Sequence, residues 1–263
     1  MGICYVPDSE WRLIFDHGLL VLSAGADRLY AMEDVAEETA NELIERWDQE
    51  QLDAAELSPP ALELLSRLVD VGLLRRSSVD ELPQRIGVRW AGEPDHDLGN
   101  RLRDFLAGSD FLEPSVDAID VVLVVRTTAR LVELYRSPEA IPVPHLLLDV
   151  AYHHTISIGP LVFTGETACL ACLAGRVNHL WGDPEPPARP SALRAAPLAA
   201  ALAVLELEKV AGGDYGLANA TVAYDLESRR LVAGAVYRLP WCPVCGDGGE
   251  SAGMVDLPWT NAA

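Results

Sequence analysis

Two Cys-x-x-Cys pairs, Cys169/Cys172 and Cys242/Cys245, constrain this chain more than any other feature. In such a pair both thiolates can point at one ion, and neighbouring backbone N–H groups offset the sulfur charge. Two pairs supply the closed tetrahedral S4 set that zinc favours, with Zn–S of about 2.3 Å. A closed set leaves no position for water, so the expected metal is structural and the expected catalytic set is empty. Gly246, directly after the second pair, suits a tight turn. A thioredoxin-type redox pair would sit between a strand and a helix near the chain start, and neither pair does. Cys4 is left over and is assigned no chemistry.

The chain has 263 residues, enough for one large domain or two smaller ones. Hydrophobic residues make up 49% and charged residues 23%, which sustains a packed core. The formal charge is -20, from 40 acidic and 20 basic side chains. No basic stripe appears, so no nucleic-acid partner is expected. Arg75-Arg76 and Arg229-Arg230 read as a helix end or a turn. The longest apolar run, Ala118–Val125, falls short of the roughly 18 residues that a membrane helix requires. Met1–Asp16 lacks the basic start and apolar stretch of a signal peptide. No membrane partner and a cytoplasmic location are therefore expected, and unpaired Cys-x-x-Cys motifs agree with a reducing compartment.

Trp11–Asp16, Leu19–Ser23 and Arg28–Met32 are short alternating runs separated by turns at Gly18 and Gly25–Asp27, which predicts an antiparallel meander. The period then becomes helical. Glu37–Trp47 places Ala40, Leu43, Ile44 and Trp47 on one face. Leu52–Leu57 is expected to hold one or two helical turns. Ser58 reads as an N-cap with Pro59 and Pro60 in the first turn, Ala61–Val71 as a helix, and Gly72 as its C-cap. Leu73–Arg76 is expected as an extended tail. The acidic Glu33–Glu50 stretch reads as a solvated face.

Ser77–Gln84 is polar and reads as a linker between a domain at 1–84 and a second at 85–263. In the second, Arg85–Trp90, Ala118–Val125 and His145–Val150 read as strands. Asp97–Ala107, Thr128–Tyr135 and Leu193–Val210 read as helices, with Thr127 or Thr128 as an N-cap. Alternation of this kind predicts a mostly parallel α/β sheet. Ala220–Asp225 and Leu231–Arg238 read as two more strands, and Asp247–Ala263 as a tail. Trp181 and Trp241 flank the cysteine pairs in sequence and are expected to shield the metal. His153-His154 reads as a strand-end pair, and Asp149 ends a parallel strand, where α/β sites lie. No Ser-His-Asp set follows from spacing.

Two stretches carry a resemblance to known proteins. "HGLLVLSAGADRLYAMEDV" and "SPPALELLSRLVDVGLLRR" resemble the PqqD-like leader-peptide recognition element of ribosomal peptide modification systems, over Trp11–Arg76. "IGPLVFTGETACLACLAGRV" with "YRLPWCPVCG" resembles the ThiF-like zinc proteins that partner YcaO cyclodehydratases in thiazole/oxazole-modified microcin and thiopeptide pathways. The pattern G-P-x-x-x-x-G-x-x-A-C-x-x-C falls on Gly159, Pro160, Gly165, Ala168, Cys169 and Cys172. The pattern P-x-C-P-x-C-G falls on Pro240, Cys242, Pro243, Cys245 and Gly246.

The resemblance implies a winged-helix-like recognition domain of three strands and three helices, followed by a degenerate ThiF-type α/β domain. It implies a precursor leader peptide and a YcaO-type cyclodehydratase as partners; a second copy of the chain is left open. The leader is expected to add as a strand along Arg28, Leu29, Tyr30, Ala31 and Met32. Leu62, Leu65, Ser66 and Val69 are the expected groove, with Arg28, Arg67 and Arg75 available to leader carboxylates. True ThiF-type enzymes admit ATP through a glycine-rich turn after the first strand. Here "AGEPDHDLGN" offers only Gly92 and Gly99 around Glu93, Asp95 and Asp97, which repel a triphosphate. No YcaO region is recognisable in these 263 residues. No ATP is therefore expected; a ThiF-type adenylating enzyme is the alternative.

Overall fold

His17 and Gly18, both at positive φ (48° and 82°), make the two-residue turn that joins the first hairpin. Two successive positive-φ residues match the right-handed twist of the flanking strands. The computed structural model describes residues 3–7, 11–25, 28–47, 52–71, 73–78, 83–136 and 141–246. The chain divides into two compact units, Met1–Leu82 and Pro83–Ala263.

In the first unit β1 (Ile3–Pro7), β2 (Arg12–Asp16), β3 (Leu19–Ala24) and β4 (Arg28–Met32) precede α1 (Glu37–Trp47). The two-residue β5 (Leu52–Asp53), a 3-10 turn at Ala54–Glu56, α2 (Pro59–Asp70) and β6 (Leu74–Ser78) follow. β2, β3 and β4 form the expected antiparallel meander. A second three-stranded sheet, in the order β5-β1-β6, was not anticipated. It takes up Leu52–Asp53, expected to be helical, and Leu74–Arg76, which pairs with Tyr5–Pro7 rather than trailing free. The Arg75-Arg76 pair thus lies in a strand and not at a helix end. Ala26, Asp27, Gly72 and 79–82 of the expected turns and linker lie outside the described residues.

One core fills this unit, built from Leu20 and Leu22 of β3, Ala40, Leu43 and Trp47 of α1, and Leu64, Leu65 and Leu68 of α2. Trp47 donates its indole N–H to the Trp11 carbonyl at 2.7 Å, satisfying the polar end of a buried ring. Ser58 caps α2, accepting the Ala61 N–H at 3.4 Å. The Glu42 carboxylate on α1 in turn accepts the Ser58 N–H at 2.8 Å, which ties the two helices at the cap.

The second unit runs β7 (Gln84–Ala91), α3 (His96–Ala107), β8 (Leu112–Pro114), β9 (Val121–Arg126), α4 (Glu133–Arg136), β10 (His145–Asp149) and β11 (Thr155–Val162). Then come α5 (Leu170–Trp181), a 3-10 stretch at Ser191–Ala195, α6 (Ala196–Ala211), β12 (Ala220–Asp225) and β13 (Arg230–Ala235). The seven strands form one sheet in the order β13-β12-β11-β10-β9-β7-β8. β7, β8, β9 and β10 are parallel, whereas β11, β12 and β13 return antiparallel. The sheet is mixed, not mostly parallel as expected, because β10 turns directly into β11 without a crossover helix.

Each face of the sheet has its own core. Ile86, Leu123, Val125, Leu146 and Leu148 pack under Leu98, Leu102 and Leu106 of α3 and the alanine-rich α6. Val122, Val124 and Leu147 face the other way, against Ala168, Leu170, Ala171 and Cys172 at the start of α5. The expected helix Thr128–Tyr135 shrinks to the single turn α4. The Asp183 carboxylate accepts the N–H groups of Leu131 and Val132 at 2.9 and 3.0 Å ahead of it.

Leu65 is 0% exposed. It is a core residue rather than a wall of a peptide groove, since nothing outside can touch it. Leu65→Ala should destabilise the first unit by about 2–5 kcal/mol, the usual range for such a truncation. Denaturant unfolding of the chain checks this, and a change near zero would place Leu65 at the surface.

Candidate metal centre

Asn219 lies at positive φ (59°) and clamps both cysteine-bearing segments. Its side-chain oxygen accepts the Ala168 N–H at 2.7 Å, next to Cys169. Its backbone carbonyl accepts the Val236 N–H at 2.7 Å, where the chain leaves β13 toward the second pair. Sequence reasoning passed over this residue; its one local signal is an asparagine's tolerance of left-handed backbone. Ahead of the first pair, the Thr167 hydroxyl accepts the Phe163 N–H at 2.8 Å and folds Phe163–Thr167 into a turn. Cys169 then caps α5, its carbonyl accepting the N–H groups of Cys172 and Leu173.

The second pair is a tight turn. Gly246 donates its N–H to the Cys242 carbonyl at 3.0 Å. A Cβ on Gly246 would stand 2.5 Å from that oxygen, so only glycine closes the turn. Backbone N–H groups of Leu239 and Cys245 point at the sulfurs of Cys172 and Cys242, at 3.3 and 3.5 Å. Arg238 donates to the carbonyls of Gly165 and Cys245, bracing one turn against the other.

All four sulfurs lie within 4.8 Å of one another. The separations are 3.8 Å for Cys169–Cys172, 3.5 Å for Cys169–Cys242 and 3.4 Å for Cys172–Cys245. A tetrahedron with metal–sulfur bonds of about 2.3 Å has edges of about 3.8 Å, so the set fits a thiolate-bound zinc ion. Burial pushes the Cys172 thiol up to about 11 and the Cys169 thiol further up. Burial also opposes ionisation of Cys242, yet the N–H groups of Cys245 and Val244 and the neighbouring thiols hold it at about 7. Ionising all four at this spacing would need a cation between them. Trp181 and Trp241 do not shield the cluster: they are 74% and 76% exposed. Trp181 stands at the far end of α5, about 14 Å along the helix from Cys172 and about 18 Å from Cys169.

A second locus lies where the strand order reverses, at the carboxyl ends of β7 and β9, the usual ligand crevice of such sheets. Here the two loops at the crevice are bonded to each other. Thr127 donates its N–H to the Ala91 carbonyl at 3.0 Å and its hydroxyl to the Glu93 carbonyl at 2.7 Å. Glu93 donates its N–H to the Thr128 hydroxyl at 2.9 Å. A Cβ on Gly92 would meet the Thr128 N atom at 2.7 Å. The two threonines, expected as helix caps, instead stitch this loop shut. Glu93 and Asp97 remain beside it, and Asp95 caps α3 through the Leu98 N–H.

Below the crevice Arg126 and Asp149 form a buried ion pair at 2.6 Å, both side chains 3% exposed. Burial pushes the Asp149 carboxyl up while Arg126 pulls it down. The guanidinium also donates to the Ala129 carbonyl at 2.8 Å and lies over the Tyr152 ring. Asp149 is thus a structural counter-ion. The imidazoles of His153 and His154 meet edge-on at 4.2 Å. His153 lies 3.3 Å from the Ser191 hydroxyl and His154 3.6 Å from Glu227. Neither joins the cysteine cluster.

In the first unit, β4 is an edge strand of its sheet. Arg28, Leu29, Tyr30 and Ala31 are exposed and Met32 is half-buried. Leu29 is 69% exposed, and Tyr30 stacks edge-on against Trp11. On α2, Leu62, Ser66 and Val69 are half-buried and share one stripe, while Leu65 belongs to the core.

By sequence the chain matches no protein-family model and no curated protein. By structure it is similar to a heterocyclase solved in complex with substrate and cofactor, at 15% identity and a TM-score of 0.59, covering 93% of this chain and 40% of that one. It is similar to the heterocyclase TruD at 18% identity and a TM-score of 0.56, covering 93% and 43%. The chain therefore spans about two fifths of the heterocyclases it matches. It is also similar to E. coli MccB, at 11% identity and a TM-score of 0.55, over 94% of this chain and 98% of that one. A structure of MccB with AMPCPP and MccA matches with a TM-score of 0.53. These likenesses establish a shared fold across both units.

Freshly purified protein should carry about one zinc ion per chain. Replacing Cys172 by serine should remove it and lower the thermal midpoint, because metal binding free energy is folding free energy. Plasma emission metal analysis with a thermal melt reads both. Metal-free protein that melts as the loaded protein does would remove the centre from the account.

Proposed function

We propose that the chain binds the leader of a ribosomally made precursor peptide. It presents that peptide to a YcaO-type cyclodehydratase for azoline formation at Cys, Ser or Thr, without catalysing the step itself. The observation that carries this reading is the fold shared with heterocyclases over 93% of the chain, both units included. The open edge of β4 supports it further. An edge strand displays unpaired N–H and C=O groups that an extended peptide can pair with. Side-chain pockets then supply selectivity, and Leu62, Ser66 and Val69 are the half-buried residues suited to that. The metal, held by Cys169, Cys172, Cys242 and Cys245, is structural zinc in this reading.

A second reading is ThiF-type adenylation, favoured by the fold shared with MccB, which was solved with AMPCPP. Against it stands the crevice closed by Thr127 and Thr128, with Glu93 and Asp97 beside it. A triphosphate there would have to displace the threonine hydroxyl bonds to Glu93 and sit among carboxylates, which costs on both counts. Pyrophosphate exchange separates the two readings.

A leader peptide from the same gene cluster should bind the purified chain, followed by fluorescence anisotropy. Val69→Glu, on the half-buried stripe, should weaken that binding by about tenfold or more, since a charge would enter an apolar contact. Circular dichroism of the variant confirms folding. Unchanged affinity in a folded variant would move the groove elsewhere, and absence of binding by every leader tested would refute the reading.

A further inference from the structure

The outer edge of β7 is paired along only half of its length. β8 is three residues long, and its register with β7 ends at Ile86 opposite Pro114. One more bond, from the Ser115 N–H to the Ile86 carbonyl at 2.9 Å, closes that ladder. Beyond it, no strand lies on this side of β7 among the described residues. The carbonyls of Arg85 and Ala91 accept N–H groups from the β9 side, those of Asp120 and Thr127. Successive residues of a strand turn their backbone groups to alternate sides, so Val88 and Trp90 turn theirs toward the open edge.

A cleft of about 880 Å³ wraps this edge. Val88 and Trp90 line it from one sheet face, and Gly87 and Arg89 from the other. Its floor is therefore a backbone edge, and its walls are mainly apolar, with Val116 and Ile119 among them. Val88 and Val116 are 39% and 88% exposed. The lining also holds Arg103, whose guanidinium donates to the Asn100 side-chain oxygen at 3.2 Å. That partner is neutral and leaves the positive charge in place. Arg103 is thus a cation beside an open edge, with Asp117 also in the lining, in a chain of formal charge -20.

We propose that this cleft takes an extended peptide segment bearing a carboxylate, which adds as a strand to Val88–Trp90 and sets its carboxylate against Arg103. An open backbone edge selects an extended main chain, apolar walls select apolar side chains, and a cation in an acidic protein selects a carboxylate. A cleft of this size lies within the usual range for ligand sites of roughly 300–1,000 Å³. The inference rests on the proposed function in one respect: the segment belongs to the precursor peptide, outside its leader. The cleft would then hold the substrate at a second point.

Hydrogen exchange with mass-spectrometric detection tests this with two probes, the full precursor and a leaderless precursor. Both should slow exchange of the segment containing Val88 and Trp90, and only the full precursor should slow exchange at β4. Val88→Pro removes one outward N–H and leaves the β9 ladder intact. R103E reverses the charge on an exposed helix position, where folding does not depend on it. Each should weaken leaderless-precursor binding by about tenfold, the size expected for a lost charge-assisted or backbone bond. The inference is overturned if the full precursor protects β4 while Val88 and Trp90 exchange as in the free chain. It is equally overturned if both variants bind as the parent does. Slowed exchange at this edge in the peptide-free chain, together with a dimer mass, would overturn it by making a second copy the occupant. Protection at neither edge would overturn the leader reading as well.

Discussion

The contact between four sulfurs is the constraint on which the second unit depends. Cys169 and Cys172 sit at the start of α5, against one face of the sheet, and Cys242 and Cys245 follow β13. Val236 and Cys242 belong to the same buried cluster as Val122, Val124 and Leu147. A proposed zinc ion thus joins the end of the chain to the middle of the sheet. Asn219 prepares the junction by holding one residue beside each cysteine-bearing segment. Three of the four cysteines are buried among the apolar residues of that cluster, so a bound metal would add its binding free energy to an existing core.

The same unit has the frame of an α/β sheet whose two loops at the strand-order reversal are bonded to each other. The hydroxyls of Thr127 and Thr128 bond the backbone of Glu93 in the loop after β7, and the Thr127 N–H bonds the Ala91 carbonyl. The buried pair of Arg126 and Asp149 beneath is satisfied by its own partners and offers no free charge to a ligand. Open backbone edges among the described residues include those of β4 and of β7 beyond Ile86. Edges of that kind recognise extended peptides rather than nucleotides. The proposed function draws support from this distribution of bonded loops and open edges.

Chemistry and helical period were legible in the sequence where they are local. Ligand spacing placed the four cysteines together, and the 3.6-residue stripes of α1, α2 and α3 appear within a residue or two of expectation. Elements that exist only through distant pairing were not legible. β1, β5 and β6 are short, and each has meaning only when the chain ends of the first unit meet. β11 holds Gly159-Pro160 in its middle, where its register against β10 shifts, and no strand was expected there. Thr127 and Thr128 look like caps to any local rule, and tertiary contact with Glu93 gave them another task. Leu65 and Val69 share one helical face by period, and only packing separates the core residue from the half-buried one. Trp181 and Trp241 neighbour the cysteines along the chain, but helix length and turn direction carry both to the surface.

Zinc K-edge X-ray absorption on the purified chain tests the central claim most directly. The account predicts a single shell of four sulfur atoms at about 2.3 Å, with no oxygen or nitrogen ligand. A shell containing water oxygen or histidine nitrogen would contradict it, because the site would then be open or built from other residues.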